Sequence, residues 1–143
     1  MADSDPGLPG SGWWVTPGGG IDAGEASRTA AARELFEETG FLVAEGRLQG
    51  PAGRRIVTHG YSDRILVQEE DFWLLDVEEP FTVNTVGFTD GEKDRMGGWG
   101  WFGHHEIPTM EVWPARILEL VEWDGGGSLD LGSVEESTVP VTP

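Results

Sequence analysis

The chain has 143 residues, 26 acidic against nine basic, with a formal charge of −17 and no cysteine. The length suits one domain with a single core, and the charge argues against an extended nucleic-acid footprint or an anionic membrane surface. The lack of cysteine removes disulfides and thiol catalysis together. With no apolar run long enough to span a bilayer and no leader pattern, a cytoplasmic location is the expectation.

Residues 1–12 are rich in Asp, Ser, Pro and Gly and read as a flexible lead. Trp13 to Thr16 predicts a short strand. Pro17-Gly18-Gly19-Gly20 predicts a loop in which bare backbone can approach a ligand. A helix follows over about residues 26–39, stopped by Gly40 just past its end. Glu25 lies at the helix start, where negative charge suits the dipole.

The helix carries Glu34, Glu37 and Glu38. Residues three and four apart share a face, so these side chains fall within an arc of about 100° and can converge on one small volume. Three carboxylates so close repel one another unless a cation sits among them. Oxygen ligands select hard ions, which makes Mg²⁺ the first expectation and Mn²⁺ the second. Arg33 precedes Glu37 by four and can pin its carboxylate. Ala31 and Leu35 form a neighbouring apolar stripe for docking on a sheet. Each of these spacings is also common on solvated helices. Gly19, Glu25, and the run Arg33-Glu34-Leu35 through Glu37-Glu38 to Gly40-Phe41 together fix nine positions, and chance agreement falls to roughly 10⁻⁸ per start site.

From Gly19 through Phe41, GGIDAGEASRTAAARELFEETGF resembles the Nudix box of Nudix hydrolases without a mismatch. The preceding WWVTPGGG resembles the strand and loop that enter that box, and a weaker likeness continues to about Trp123. The resemblance implies an α/β/α sandwich around a mixed sheet and metal-dependent cleavage of a nucleoside diphosphate linked to another group, with water as nucleophile. It implies Glu34, Glu37 and Glu38 as metal ligands and catalytic residues, the Gly18 carbonyl as a further ligand, and Gly19, Glu25 and Arg33 as support. Family members place the general base either in the box or on a downstream loop. Here the loop candidate is Glu92, in Phe88-Thr89-Asp90-Gly91-Glu92, with Glu69 and Glu70 as rivals. The expected substrate is a small nucleotide rather than a nucleic acid. The downstream residues that mark ADP-ribose or dinucleoside polyphosphate enzymes are absent or displaced, since Ile56 and Val57 stand where a proline would and Tyr61 comes late.

Further along, Phe41 to Gln49 alternates weakly and reads as a strand. Arg54 to His59 and Arg64 to Val77 read as two more, with Phe72-Trp73-Leu74-Leu75 apolar on both faces as suits an interior strand. Residues 79–98 read as a long loop, Trp99 to Phe102 as a strand, and Pro114 as the opening of a second helix carrying Ile117, Leu118, Leu120 and Val121. The domain is thus placed at 13–124, followed by a disordered acidic tail at 125–143.

Nudix domains usually carry two strands before the box, and here only a dozen loop-like residues precede Trp13. A late start, a fragment or a genuinely shortened sheet would each explain this. An open sheet edge then invites a homodimer. The same departure motivates the alternative of a non-catalytic, Nudix-like binding module.

Overall fold

The computed structural model describes residues 1–83 and 98–141. Among the described residues six strands form two three-stranded sheets. The first sheet joins β1 (Ala2–Asp3), β2 (Trp13–Val15) and β5 (Val112–Trp113), with β1 antiparallel and β5 parallel to β2. The second has the order β4-β3-β6, where β3 spans Gln49–Gly60, β4 Ile65–Leu74 and β6 Leu129–Glu135. Here β4 is antiparallel and β6 parallel to the central β3. Two α-helices accompany them among the described residues, α1 (Ser27–Thr39) and α2 (Ile117–Val121). The expected α/β class with mixed sheets is what the molecule shows.

The central strand alternates. Arg55, Val57 and His59 turn inward and are buried, whereas Arg54 and Ile56 face out. That two-residue period lets one strand carry a polar floor on one face and a surface on the other. Ala52, Leu120 and Leu131 form the core, with Phe72, Leu74, Trp123 and Leu129 packed against it. Gly53 has no room for a side chain, since a Cβ there would lie 2.5 Å from Leu120 Cδ2. The β3–β6 register shifts between Arg54 and Ile56, opposite Gly132 at φ 72°, where the absent Cβ permits the irregularity.

Four expectations are corrected. Residues 125–143 were to form a tail, but Leu129–Glu135 is a strand of the second sheet. Leu129, Leu131 and Val134 supply its apolar positions, and a composition dominated by Gly, Ser and acids conceals so short a pattern. Residues 1–12 were to be a loose lead, yet Ala2–Asp3 pairs with β2 and Asp5 is buried. Phe41 to Gln49 is not a strand of its own, and within it only Gln49 belongs to one, as the first residue of β3. The segment holds a 3₁₀ turn at Glu45–Arg47, and Leu42 points outward at 80% exposure. Trp99 to Phe102 likewise forms no strand, and among the described residues the ladder contact nearby is the isolated bridge of Gly98 with Ala2.

The apolar run in β4 also has a different cause from the one its composition suggests. Its strand is an edge strand among the described residues, with β3 on its inner side. Trp73 is covered instead by α1, where its Nε1 donates to Ser27 Oγ at 2.9 Å and the Arg28 guanidinium lies 4.8 Å from its ring centre.

Candidate active site on helix α1

Helix α1 begins without a side-chain cap at Ala26 and ends at Gly40, whose φ of 75° lets its N–H return to the Phe36 carbonyl. Thr39 is buried and its hydroxyl donates to the Leu35 carbonyl at 2.5 Å. A fixed last turn matters because Glu37 and Glu38 sit on it.

The glycine loop packs against this turn. Gly18 N–H donates to Glu38 Oε2 at 2.8 Å, and Glu38 is 6% exposed. Gly19 lies so close to Glu34 that a Cβ would overlap the carboxylate. The loop thus meets the helix in two ways, through a main-chain donor at Gly18 and through the absence of a side chain at Gly19.

Arg33 ties the group together. Its Nε and Nη2 donate to Glu25 Oε2 and Oε1, both at 2.9 Å, and Nη2 also reaches the Gly20 carbonyl at 2.8 Å. Nη1 donates to Glu34 Oε1 at 2.9 Å and to Glu37 Oε2 at 3.1 Å. The contact with Glu37 is the one helical spacing predicts, but the forked pair with Glu25 is the stronger tie. Hydrogen bonds from Arg33, then the Asp22 N–H, hold the Glu25 carboxyl down at about 2. Bonds to Glu25 and Glu34 in turn raise Arg33 above its usual range.

The three box glutamates are thus differently placed rather than gathered at one point. Glu34 and Glu37 share a guanidinium nitrogen, Glu38 turns to the loop amide, and Glu37 is 49% exposed. Among the described residues no three carboxylates or imidazoles converge closely enough to hold a metal ion. The donor chemistry nonetheless fits a hard divalent cation, since Glu34, Glu37, Glu38 and the Gly18 carbonyl offer oxygen alone. Glu37 is engaged by Arg33 and Glu38 by the Gly18 N–H, so a shared ion would compete with both bonds.

Glu34, Glu38 and the loop Gly18–Gly20 wall one side of a cleft of about 780 Å³, and β3 and β4 line another. Glu69 and Glu70 both line the cleft, Glu70 bonded to Arg55 and Glu69 exposed. Glu92, with the rest of 84–97, lies outside the described residues. Trp13 is buried in a stack with Trp113, ring centres 4.3 Å apart. Trp101 lines the cleft at 51% exposure, edge-on to Phe81. His104 and His105 are exposed on the turn before the 3₁₀ segment Ile107–Thr109.

Sequence reasoning passed over Arg55, which is buried at the cleft and bonded to Glu70 and Glu136. The signal was there in the alternation Arg55, Val57, His59, which puts a cation on the apolar face of a strand.

The profile of the NUDIX domain matches residues 4–121. The chain belongs to the NUDIX domain family. Its Nudix relatives include an RNA pyrophosphohydrolase of Psychrobacter cryohalolentis, 32% identical over 99 residues that cover 64% of this chain and 56% of that protein. An uncharacterized Nudix hydrolase, YvcI of Bacillus subtilis, is 45% identical over 115 residues, 79% of this chain and 66% of its own. Nudix hydrolase 26, chloroplastic, of Arabidopsis thaliana is 32% identical over 111 residues, 69% and 50%. The chain thus spans between half and two thirds of the length of these relatives. No solved structure matches it.

Proposed function

We propose that this Nudix chain is a pyrophosphohydrolase that cleaves the diphosphate linkage of a nucleotide-type substrate by attack of water at phosphorus. The observation that carries the reading is the packing of the Gly18–Gly20 loop on Glu34 and Glu38 at the wall of a cleft large enough for a nucleotide. Relatives named RNA pyrophosphohydrolase and Nudix hydrolase support it.

In this reading Glu34, Glu37, Glu38 and the Gly18 carbonyl hold Mg²⁺ or Mn²⁺. When bound, such an ion lowers the pKa of a water and offsets charge on the phosphates. Arg33 releases Glu37 and keeps Glu25 and the Gly20 carbonyl, so the loop stays in place while the ligand moves. Glu38, fixed by the Gly18 amide, supplies a rigid carboxylate. Glu92 is the proposed base that takes the proton of the attacking water, with Glu70 engaged by Arg55 and so poorly suited to that role.

The net charge of −17 favours a small nucleotide or the terminal phosphates of an RNA over a long RNA tract. Among the described residues no helix is long and apolar enough to cross a membrane, and we propose a cytoplasmic setting. The test is release of phosphate, pyrophosphate or nucleoside monophosphate from a panel of nucleoside triphosphates, nucleoside diphosphate derivatives and a 5′-triphosphorylated oligoribonucleotide, with Mg²⁺ and with Mn²⁺. Metal-dependent release from at least one supports the proposal. Silence across the panel, with the protein folded, would refute it in favour of a binding module.

A further inference from the structure

All seven tryptophans lie among the described residues, and Trp101 is the exposed one, at 51%. It lines the same cleft as Glu34 and Glu38. The other candidates for a ring seat are covered. Trp13 and Trp113 are buried against each other, and Trp73 carries the Arg28 guanidinium on its ring. An indole left half in water forgoes much of the stabilisation that its burial would supply, so Trp101 contributes less to folding than its size allows.

The ring is nonetheless held. Its Nε1 donates to the Phe81 carbonyl at 3.2 Å, and it meets the Phe81 ring edge-to-face with centres 5.0 Å apart. Phe81 in turn stacks on Phe41, with centres 4.2 Å apart and planes 18° from parallel. Phe41 stands three residues past Glu38, so three rings in contact lead from the end of the acidic helix to the exposed indole. The Phe81 contact is the one ring contact of Trp101 among the described residues, and an edge-to-face contact occupies at most one face of the indole.

These features decide what could sit there. A fixed aromatic face without a covering ring attracts a flat aromatic partner through dispersion and release of water. Because Nε1 is engaged by Phe81, the indole has no donor left to read the edge of a base. It can meet a base only by its face, and every nucleobase has one. A neutral ring also escapes the repulsion that the acidic chain exerts on anions.

We propose that Trp101 is a substrate-binding residue of this cleft, a preorganised platform on which the nucleobase stacks without hydrogen-bond selection among bases. The inference rests on the hydrolase reading above for the placement of the phosphates at α1. Affinity for the base then follows ring area, and a purine gains more than a pyrimidine.

The test is binding, by calorimetry with Mg²⁺ present, of the non-hydrolysable α,β-methylene diphosphates of guanosine, adenosine and base-less ribose. The wild-type chain should bind both nucleoside compounds about tenfold more tightly than the ribose compound. Trp101→Ala, with an unchanged melting transition, should bring both to within about twofold of the ribose compound and leave that compound unaffected. Fluorescence adds a signature that a purely structural role would not move. The bound base should quench part of the tryptophan emission, and Trp101→Phe should lose that quench while keeping most of the affinity. Equal wild-type affinity for nucleoside and ribose compounds overturns the proposal without any variant, so a misfolded Trp101→Ala does not shield it. A quench that persists in Trp101→Phe overturns it too, as does a loss in Trp101→Ala confined to one of the two bases. Cleavage of guanosine and adenosine triphosphates is measured alongside. Base-dependent binding without cleavage would sink the hydrolase reading alone, and cleavage with an unchanged KM in Trp101→Ala would sink the role of Trp101 alone.

Discussion

Arg33 and Glu25 are joined by two hydrogen bonds of 2.9 Å, Nε to Oε2 and Nη2 to Oε1, across the turn that leads into helix α1. The forked pair anchors the guanidinium outside the helix, and its remaining nitrogen is then presented to Glu34 and Glu37. The loop and the acidic turn are thereby built as one unit.

A pH dependence follows. The Glu25 carboxyl is held at about 2, from an ordinary value of 4.5, chiefly by its bonds to Arg33. A carboxyl depressed by folding stabilises the protein fully above its unfolded pKa, and that contribution is lost as pH falls toward the folded value. The thermal midpoint of the wild type should therefore drop as pH falls from 4.5 to about 2. In Glu25→Gln this part of the slope should flatten, as calorimetry at several pH values would show. An unchanged slope would mean that the pair contributes nothing to folding.

Replacing Arg33 with Lys keeps the charge but cannot reproduce the fork or serve five acceptors at once. Catalytic turnover should fall about 10- to 100-fold, the range found when a group that orients metal ligands is removed. The steady-state rate, together with the Mg²⁺ concentration giving half-maximal rate, measures it. The second quantity should rise as well.

Gly19→Ala tests the close approach of loop and helix. The added methyl would overlap the Glu34 carboxylate. Because the collision is with a side chain that can swing aside, the chain should fold with nearly its normal melting temperature. Turnover should nonetheless fall by about 100-fold as Glu34 is displaced. Circular dichroism and the steady-state rate together separate the two effects.

Asp5 holds three distant segments. It accepts from the hydroxyl and the N–H of Ser62, from Thr138 Oγ1 and from the Gly7 N–H. Bonds from the Ser62 and Thr138 hydroxyls hold its carboxyl well below the usual range. Asp5→Ala should lower the melting temperature by about 5 °C or more. It should also speed proteolysis near Thr138, seen by mass spectrometry of early fragments.

The helix of the acidic turn and the Arg33–Glu37 contact were legible in the sequence, whereas the convergence of Glu34, Glu37 and Glu38 expected from their spacing is not found among the described residues. Glu34, Glu37 and Glu38 belong to one short helix, and a contact that spans four residues can be read from spacing alone. The fork from Arg33 to Glu25 spans eight residues and two elements, and it needs the path of the loop to be known. Arg55 with Glu136 spans 81 residues, and no local pattern reports such a pair. Strand β6 went unseen for a related reason. Its seven residues are polar enough to resemble a tail, and they are ordered by pairing with β3 rather than by their own propensity. The segment from Phe41 to Leu48 shows the converse, since its weak alternation meets no partner strand among the described residues.

The most direct test of the account is the turnover of Glu38→Gln against wild type on the best substrate of the nucleotide panel, at saturating Mg²⁺. Glutamine keeps the acceptor for the Gly18 amide, so the fold and the melting temperature should persist while kcat falls by about 1,000-fold or more. Turnover of Glu38→Gln within about threefold of wild type would contradict the assignment of the acidic turn of α1 as the centre of a pyrophosphate-cleaving site.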